Sequence, residues 1–366
     1  MNIVLYGCGS YGSQMLKKIK CYSDVNLVGV ADSMKKGLFD GRPIINDRKE
    51  LLGLVDEKSA IVVFAMANVG AAYKMALNLC NKNTRVALFL NRTNTRGCDF
   101  LQDECFEIKE LSENTLPSIE MHVVDYCNLN CRGCTHFSPL FEKENPNYDE
   151  RMCAVKKIKD IFDDVLFFYI LGGEPFLNPD ICKYIIDIRN QFPQSEIQII
   201  TNGLLLTTIE EAVLKAIESN NITICISEYK PTHECIDRII NRIEEYDINY
   251  TIRGYDVKSS FNLPLSLKEN SKYPYRCMSD GCISLSDGKI ARCPTLMYVS
   301  QYNKKFNISL PTDGILNLDD YSKGEGKRMI EDLGKKVPLC KHCVENPIEW
   351  QRCNDSISMY DFAIDE

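Results

Sequence analysis

Three cysteines within eight residues, Cys127-Asn128-Leu129-Asn130-Cys131-Arg132-Gly133-Cys134, restrict what this chain can fold into more than any other stretch. A chain with 18 cysteines in 366 residues shows this spacing by chance roughly 0.04 times. Thiolates on a tight loop bind several irons of one cubane, because iron–sulfur clusters are built on Cys ligands. Three ligands leave the fourth iron of a 4Fe–4S cube without a protein ligand. An open metal position is where a substrate or cosubstrate binds. The competing reading is a structural zinc loop, although a closed zinc site takes four ligands.

The chain around this loop alternates strand and helix. A strand over Ser118–Asp125 feeds the loop. Helices over about 149–161, 180–191, 208–219 and 234–245 alternate with strands Val165–Leu171, Glu196–Ile200, Ile222–Ser227 and Asn249–Arg253. Five such strands predict a parallel, barrel-like domain with all strand C-termini on one face. Active sites of such barrels lie on that face. Gly172-Gly173-Glu174-Pro175, Thr201-Asn202-Gly203 and Ser227-Glu228 all fall there.

The cysteine spacing resembles the signature of the radical S-adenosylmethionine (SAM) enzymes. The resemblance implies that SAM chelates the open iron through its amino and carboxylate groups. An electron from the cluster then cleaves it, and the resulting 5′-deoxyadenosyl radical abstracts a hydrogen from substrate. It also gives roles to the strand-end motifs. Gly172, Gly173, Glu174 and Pro175 resemble the family's GGE motif, which borders the methionine part of SAM. Asn202 and Ser227 stand where the family contacts the ribose and carboxylate. The family's partial barrel has six strands, and the sixth is not placed. The family also has an aromatic residue just before the third Cys; here it is Gly133, with His136 and Phe137 close behind. No residue beyond the cluster ligands is assigned a catalytic role.

Residues 1–110 form a second strand–helix alternation. Gly7-Cys8-Gly9-Ser10-Tyr11-Gly12 follows the strand Asn2–Tyr6 and opens a helix, and Asp32 ends the next strand 20 residues beyond Gly12. In this context Gly7, Gly9, Gly12 and Asp32 are the dinucleotide fingerprint: glycines admit a phosphate to a helix N-terminus and the acid suits a ribose. Close packing of helix on sheet is the other explanation of the glycines. The stretch through Gly41-Arg42-Pro43-Ile44-Ile45 resembles the Rossmann-type domain of bacterial sugar acetyltransferases, which implies a nucleotide or nucleotide sugar as ligand. Polar residues 92–118 read as a linker carrying free Cys98 and Cys105.

Residues 266–366 hold six more cysteines. Asp287-Gly288 is a strong hairpin signal. A two-residue turn there pairs Ser286 with Lys289 and sets Cys282 opposite Cys293. Cys340-Lys341-His342-Cys343 adds a close pair. This region resembles the auxiliary-cluster part of the SPASM/twitch subfamily, which implies one auxiliary 4Fe–4S cluster. Cys282, Cys293, Cys340 and Cys343 are the first choice of ligands, with Cys277 and Cys353 as alternatives. A four-cysteine zinc ribbon suits the same residues. Trp350, the only Trp, sits near the last cysteines; it packs over a cluster or fills the core, and core is the first reading.

The expected fold is α/β throughout: an N-terminal Rossmann-like doubly wound domain over 1–110, a partial (β/α)6 radical SAM barrel over 118–265 and a small Cys-rich domain over 266–366. A net charge of −8 argues against nucleic acid as a partner. The absence of a signal peptide or spanning segment predicts a cytoplasmic protein away from membranes, where thiols stay reduced. The expected substrate is a small molecule, a sugar or nucleotide sugar first and a ribosomal peptide second. The expected partner is an electron donor such as flavodoxin or ferredoxin. A non-catalytic zinc scaffold is the reading from a different class.

Overall fold

Strands such as Ile61–Phe64 and Val86–Phe89 are apolar at every position and buried at every position, as parallel strands covered on both faces must be. The computed structural model describes residues 1–94, 99–269, 277 and 281–365. Cys98 lies outside them. The chain divides into two compact units, Met1–Glu113 and Asn114–Glu366.

In the first unit the order is β1 (Asn2–Tyr6), α1 (Ser10–Ile19), β2 (Asn26–Ala31), β3 (Leu38–Phe39), β4 (Arg42–Ile45), α2 (Arg48–Lys58), β5 (Ile61–Phe64), α3 (Val69–Leu79), β6 (Val86–Phe89), α4 (Phe100–Asp103) and β7 (Cys105–Ile108). The sheet order is β3-β4-β2-β1-β5-β6-β7. Strands β4, β2, β1, β5 and β6 are parallel, and β3 and β7 are antiparallel edges. The chain steps outward from β1 to β2 and β4, then returns to the other side through β5 and β6. Asp47 and Asn68 cap α2 and α3 by accepting the backbone N–H of Glu50 and Ala71.

The linker expected over 92–118 is largely structured. Phe100 is fully buried, and Cys105–Ile108 pairs with β6, where the Arg85 guanidinium reaches Glu107 at 2.7 Å. Cys105 is therefore a core residue of the first unit. The polar residues around this short strand hid it.

The second unit runs β8 (Thr115–Val124), α5 (Tyr148–Ile161), β9 (Asp164–Gly172), α6 (Ile181–Gln191), β10 (Glu196–Thr201), α7 (Glu211–Ser219), β11 (Thr223–Ser227), α8 (Lys230–His233), α9 (Ile236–Glu244), β12 (Tyr250–Arg253), α10 (Tyr255–Lys258), β13 (Ser260–Ser266), β14 (Ser284–Ser286), β15 (Lys289–Ala291), α11 (Pro294–Phe306), β16 (Leu316–Asn317), α12 (Gly326–Leu333), β17 (Cys343–Glu349) and β18 (Ala363–Ile364). Its main sheet has the order β12-β11-β10-β9-β8-β14-β15-β16. Strand β14 joins β8 in parallel, so a sixth parallel strand exists on the β8 side, late in the chain. Three residues long, it carries no periodicity from which to place it. It opens the hairpin at Asp287-Gly288, whose register pairs Ser286 with Lys289 and Ser284 with Ala291. Both turn residues have positive φ, 46° and 73°.

The boundary expected at 265/266 falls at the end of β13. That strand pairs with β17 and β18, and the C-terminal segment belongs to the same compact unit as the parallel strands. Alternation divides the main sheet into two faces. Ile119, Met121, Val123, Phe168, Ile170, Ile197, Ile199, Ile224 and Ile226 pack in the core with Val155, Ile185, Leu214 and Ile239 of the helices. Residues of opposite parity, including Glu120, His122, Glu196, Gln198 and Thr223, are buried and polar.

The glycine turn after β1 divides into two kinds of position. A Cβ on Gly12 would stand 2.0 Å from the Gly7 carbonyl oxygen, and one on Gly7, at φ +108°, 2.8 Å from that of Ala65. A Cβ on Gly9 would meet nothing within 4 Å. Gly12→Ala is thus expected to destabilise the first unit by about 3 kcal/mol through forced backbone movement. Gly9→Ala meets no clash and should cost no more than about 1 kcal/mol, for the poorer N-cap residue on α1. Urea denaturation of both variants checks the contrast.

Candidate functional site

Strand β8 is buried along nearly its whole length and delivers the chain into the cysteine loop. Positive φ at Asn130 and Gly133, 51° and 75°, folds that loop tightly. Cys131 is 8 % exposed, and Cys127 and Cys134 are half-buried. Burial pushes the Cys127 thiol up to about 12, and Glu174 and Cys134 add to it. Burial likewise raises Cys131, with Cys134, Cys127 and Cys353 among its neighbours.

The end of β9 presses directly on this loop. The Gly173 N–H donates to Val124 O at 2.9 Å and the Glu174 N–H to Tyr126 O at 3.2 Å. A Cβ on Gly173 would stand 2.0 Å from Tyr126 O and 2.7 Å from the Cys127 nitrogen; one on Gly172 would stand 2.0 Å from Val124 O. Only glycine permits this approach.

Glu174 is fully buried, and its carboxylate is occupied by the protein. It accepts from the Thr201 hydroxyl at 2.7 Å, the Asn202 N–H at 2.9 Å and the Phe176 N–H at 3.2 Å. Pro175 opens the short 3-10 turn that follows. Asn202 donates in turn to Asn128 Oδ1 at 2.7 Å and approaches Cys127 Sγ at 3.8 Å. Glu174 and Asn202 therefore tie the ends of β9 and β10 to the cysteine loop. Burial outweighs the three donors and pushes the Glu174 carboxyl up to about 7. A folded pKa above the ordinary 4.5 means that the folded state holds the proton longer than the unfolded chain. Stability from this group is fully present below pH 4.5 and is lost as pH rises through 7, by about 3 kcal/mol in all. Chemical denaturation of metal-free protein between pH 4.5 and 7.5 should show this decline, and Glu174→Gln should flatten it.

Ser227 and Arg253 are register partners at the ends of β11 and β12. The ionisable groups acting most strongly on Arg253 are Cys225, Tyr169, Cys282 and Tyr229, none of them a carboxylate. A hydroxyl and a guanidinium on register partners suit a carboxylate ligand. Sequence reasoning missed Arg253, though it stands at a strand C-terminus like the other motifs.

A charged network on the β8 side was also missed. His122 shares a hydrogen bond with Asp125 at 2.9 Å, and Arg151 pairs with Asp125 and Asp287, both at 3.1 Å. Tyr298 stacks on His122 with ring centroids 4.3 Å apart. Burial pushes the His122 imidazole down to about 4. A cavity of about 950 Å³ opens beside this network, with Asp125, Arg151, Asp287, Lys289, Tyr298 and Lys304 in its wall.

The remaining cysteines lie in two places. Burial pushes Cys343 up to about 12, aided by Cys293, Cys340 and Cys277, and Cys293 likewise, with Cys277 and Cys340 among its neighbours. Cys277 acts on Cys282 as well. After burial, Cys282 responds to Glu120 and Arg253 before Cys293 and Cys277. Cys353 stands elsewhere: its thiol responds to Asp361 and Cys134, and its N–H donates to Asn130 O at 2.7 Å. Trp350 is not core filling. Its indole N–H donates to Cys131 Sγ at 3.1 Å. Phe137 is fully buried against Tyr302 and Phe362, and His136 pairs with Glu120 at 3.6 Å.

In the first unit Asp32 is turned inward. It accepts the N–H of Cys8 at 2.8 Å, of Met34 at 2.8 Å and of Lys35 at 2.9 Å. Although burial pushes its carboxyl up, these donors and the Lys35 ammonium hold it below the ordinary value. The sheet reverses its order at β1, beside Gly7, Gly9 and Gly12, where open α/β sheets bind ligands.

The donor set at the loop fits a 4Fe–4S cluster. It offers three thiols, an adjoining backbone kept free of side chains by Gly172 and Gly173, and strand ends with polar groups for a cosubstrate. Among the described residues no three His, Cys, Asp or Glu side chains converge as for a single metal ion. A cubane, whose thiolates bind different irons, sets its ligands wider apart. No helix among the described residues is long and apolar enough to cross a membrane.

Residues 121–270 match the model of the Radical SAM superfamily. A GTP 3′,8-cyclase of Microcystis aeruginosa is 26% identical over 130 residues, 35% of this chain and 39% of the relative. The chain thus spans well under half of that relative's length. A GTP 3′,8-cyclase of Clostridium botulinum is 24% identical over 251 residues, 67% of this chain and 69% of the relative. Among solved structures, BtrN in complex with AdoMet and 2-DOIA is 16% identical at a TM-score of 0.39, covering 68% of this chain and 98% of that one.

Proposed function

We propose that this protein is a radical SAM enzyme that reductively cleaves SAM and abstracts a hydrogen from a sugar or nucleotide sugar. The observation that carries the reading is the approach of Gly173 to Cys127 beneath three neighbouring thiols. Cys127, Cys131 and Cys134 would hold the cluster. When bound, the cluster with SAM supplies a radical able to take hydrogen from an unactivated C–H bond. The protein positions the reactants and excludes water. Backbone at Gly172–Glu174 would receive the SAM amino group, and Ser227 with Arg253 its carboxylate. Glu174 acts through Thr201 and Asn202, as a positioning residue. An external one-electron donor of the flavodoxin or ferredoxin kind completes the reaction. Release of 5′-deoxyadenosine from SAM by reduced, reconstituted protein tests this directly.

The thiols of Cys293, Cys340 and Cys343, with Cys277 or Cys282, suit one auxiliary 4Fe–4S cluster of the SPASM/twitch kind. Cys353 is not assigned to it. The substrate class rests on polar features. The cavity beside Asp125 and Arg151 has acidic and basic walls and a size ordinary for a ligand pocket. The relatives are named for GTP, which shares its nucleotide part with a nucleotide sugar.

The first unit is read as a Rossmann-like binding domain for the nucleotide part. Space at Gly9 supports this, while Gly7 and Gly12 are explained by packing alone. The full chain is expected to bind a nucleotide sugar more tightly than NAD in calorimetry, and Gly9→Val to abolish that binding by filling the space. Tighter NAD binding would reverse the choice, and binding of neither would make the unit a docking domain.

A further inference from the structure

The segment after β17 returns to the cysteine loop and holds it at several points. The Trp350 indole N–H donates to Cys131 Sγ at 3.1 Å. The Arg132 N–H donates to Gln351 O at 2.9 Å, the Cys353 N–H to Asn130 O at 2.7 Å, and the Gly133 N–H to Asp361 O at 2.7 Å. Trp350 is itself fixed. Its backbone N–H donates to Ser259 O at 2.8 Å, extending the β13–β17 pairing, and its ring lies 5.7 Å from that of Tyr229. Gly133 leaves room for this arrangement. A Cβ there would stand 2.4 Å from Asn262 O and 3.3 Å from the Phe261 ring. The aromatic side chains beside the loop include Phe261 of β13, Trp350 just after β17 and Tyr229 just after β11.

An indole nitrogen is a donor only, so the contact has one polarity: N–H toward sulfur. Hydrogen bonds to the sulfurs of a cluster are among the features that set its reduction potential. A donor to a thiolate ligand withdraws charge from it, which favours the reduced, more negative cluster. Such partners of metal ligands also fix ligand orientation.

We propose that Trp350 is a positioning residue for the cluster on Cys127, Cys131 and Cys134, its indole N–H making that cluster easier to reduce. This rests on the functional reading above. Cys353 and Gln351 hold the loop through backbone groups, so replacing the indole leaves those tethers in place.

The test is a potentiometric titration of reconstituted Trp350→Phe against wild type. It is followed on the paramagnetic signal that changes when SAM is added, which identifies the loop cluster. At a fixed ambient potential the ratio of reduced to oxidised loop cluster should fall about tenfold in the variant, equivalent to about 59 mV for a one-electron couple. Iron content should be unchanged. Trp350→His, which keeps a ring N–H, should recover part of the ratio. An equal ratio in wild type and Trp350→Phe overturns the proposal. Loss of iron from the loop in Trp350→Phe also overturns it, since the indole would then hold the site rather than tune it. Wild-type protein with no SAM-responsive signal would sink the functional reading itself, and this proposal with it.

Discussion

Replacing Gly173 with alanine is expected to reduce SAM cleavage at least about a hundredfold while most of the second unit stays folded. The added Cβ would stand 2.0 Å from Tyr126 O and 2.7 Å from the Cys127 nitrogen, both backbone atoms that cannot rotate away. Either β9 must retreat from β8 or the first cysteine must shift. A displacement of about 1 Å at a reacting centre costs on the order of a hundredfold in rate. Overpacking of this kind also costs about 1–3 kcal/mol of stability, so denaturation should show a modest loss beside the large loss of activity. Gly288→Ala serves as the comparison. Its φ of +73° strains any side chain, yet nothing stands within 4 Å of its Cβ. It should lose stability without losing cleavage. Equal activity losses in both variants would mean that general destabilisation, not the approach to Cys127, is responsible.

Much of this site is readable in the sequence because its parts are local. Cys127, Cys131 and Cys134 occupy one loop, and Gly172–Pro175 one strand end. The Asp287-Gly288 turn sets its own register, since two positive-φ residues leave a two-residue hairpin little choice. The parts that were missed depend on contacts distant in sequence. Trp350 meets Cys131 from 219 residues away; its place among the last cysteines allows packing over a cluster, but nothing local says that the partner is the first loop. Cys353 looks like a member of the C-terminal cysteine series, but the returning segment carries it to Asn130. Strand β14 pairs with β8 across 164 residues, as at Ser284 and Glu120, through a stretch too short to show alternation.

Two motif residues have partners within the protein that their motifs do not show. A carboxylate at a strand end looks available to a ligand. Glu174 and Asp32 instead spend their oxygens on neighbouring backbone donors and, for Glu174, a hydroxyl as well. Such residues shape a site without needing to touch what it binds. The glycines of the first unit show the same division: Gly7 and Gly12 satisfy packing, and Gly9 alone leaves space.

In the proposed function the loop Cys127–Cys134 carries the SAM-cleaving cluster while a separate set of thiols carries another. One measurement tests it: 5′-deoxyadenosine release and iron content in the variant with alanine at Cys127, Cys131 and Cys134. Cleavage should fall to background, because no thiol remains to hold the cluster that presents the open iron, while about four irons persist on the C-terminal cysteines. Cleavage at the wild-type rate by this triple variant would rule out the loop as the site of SAM cleavage.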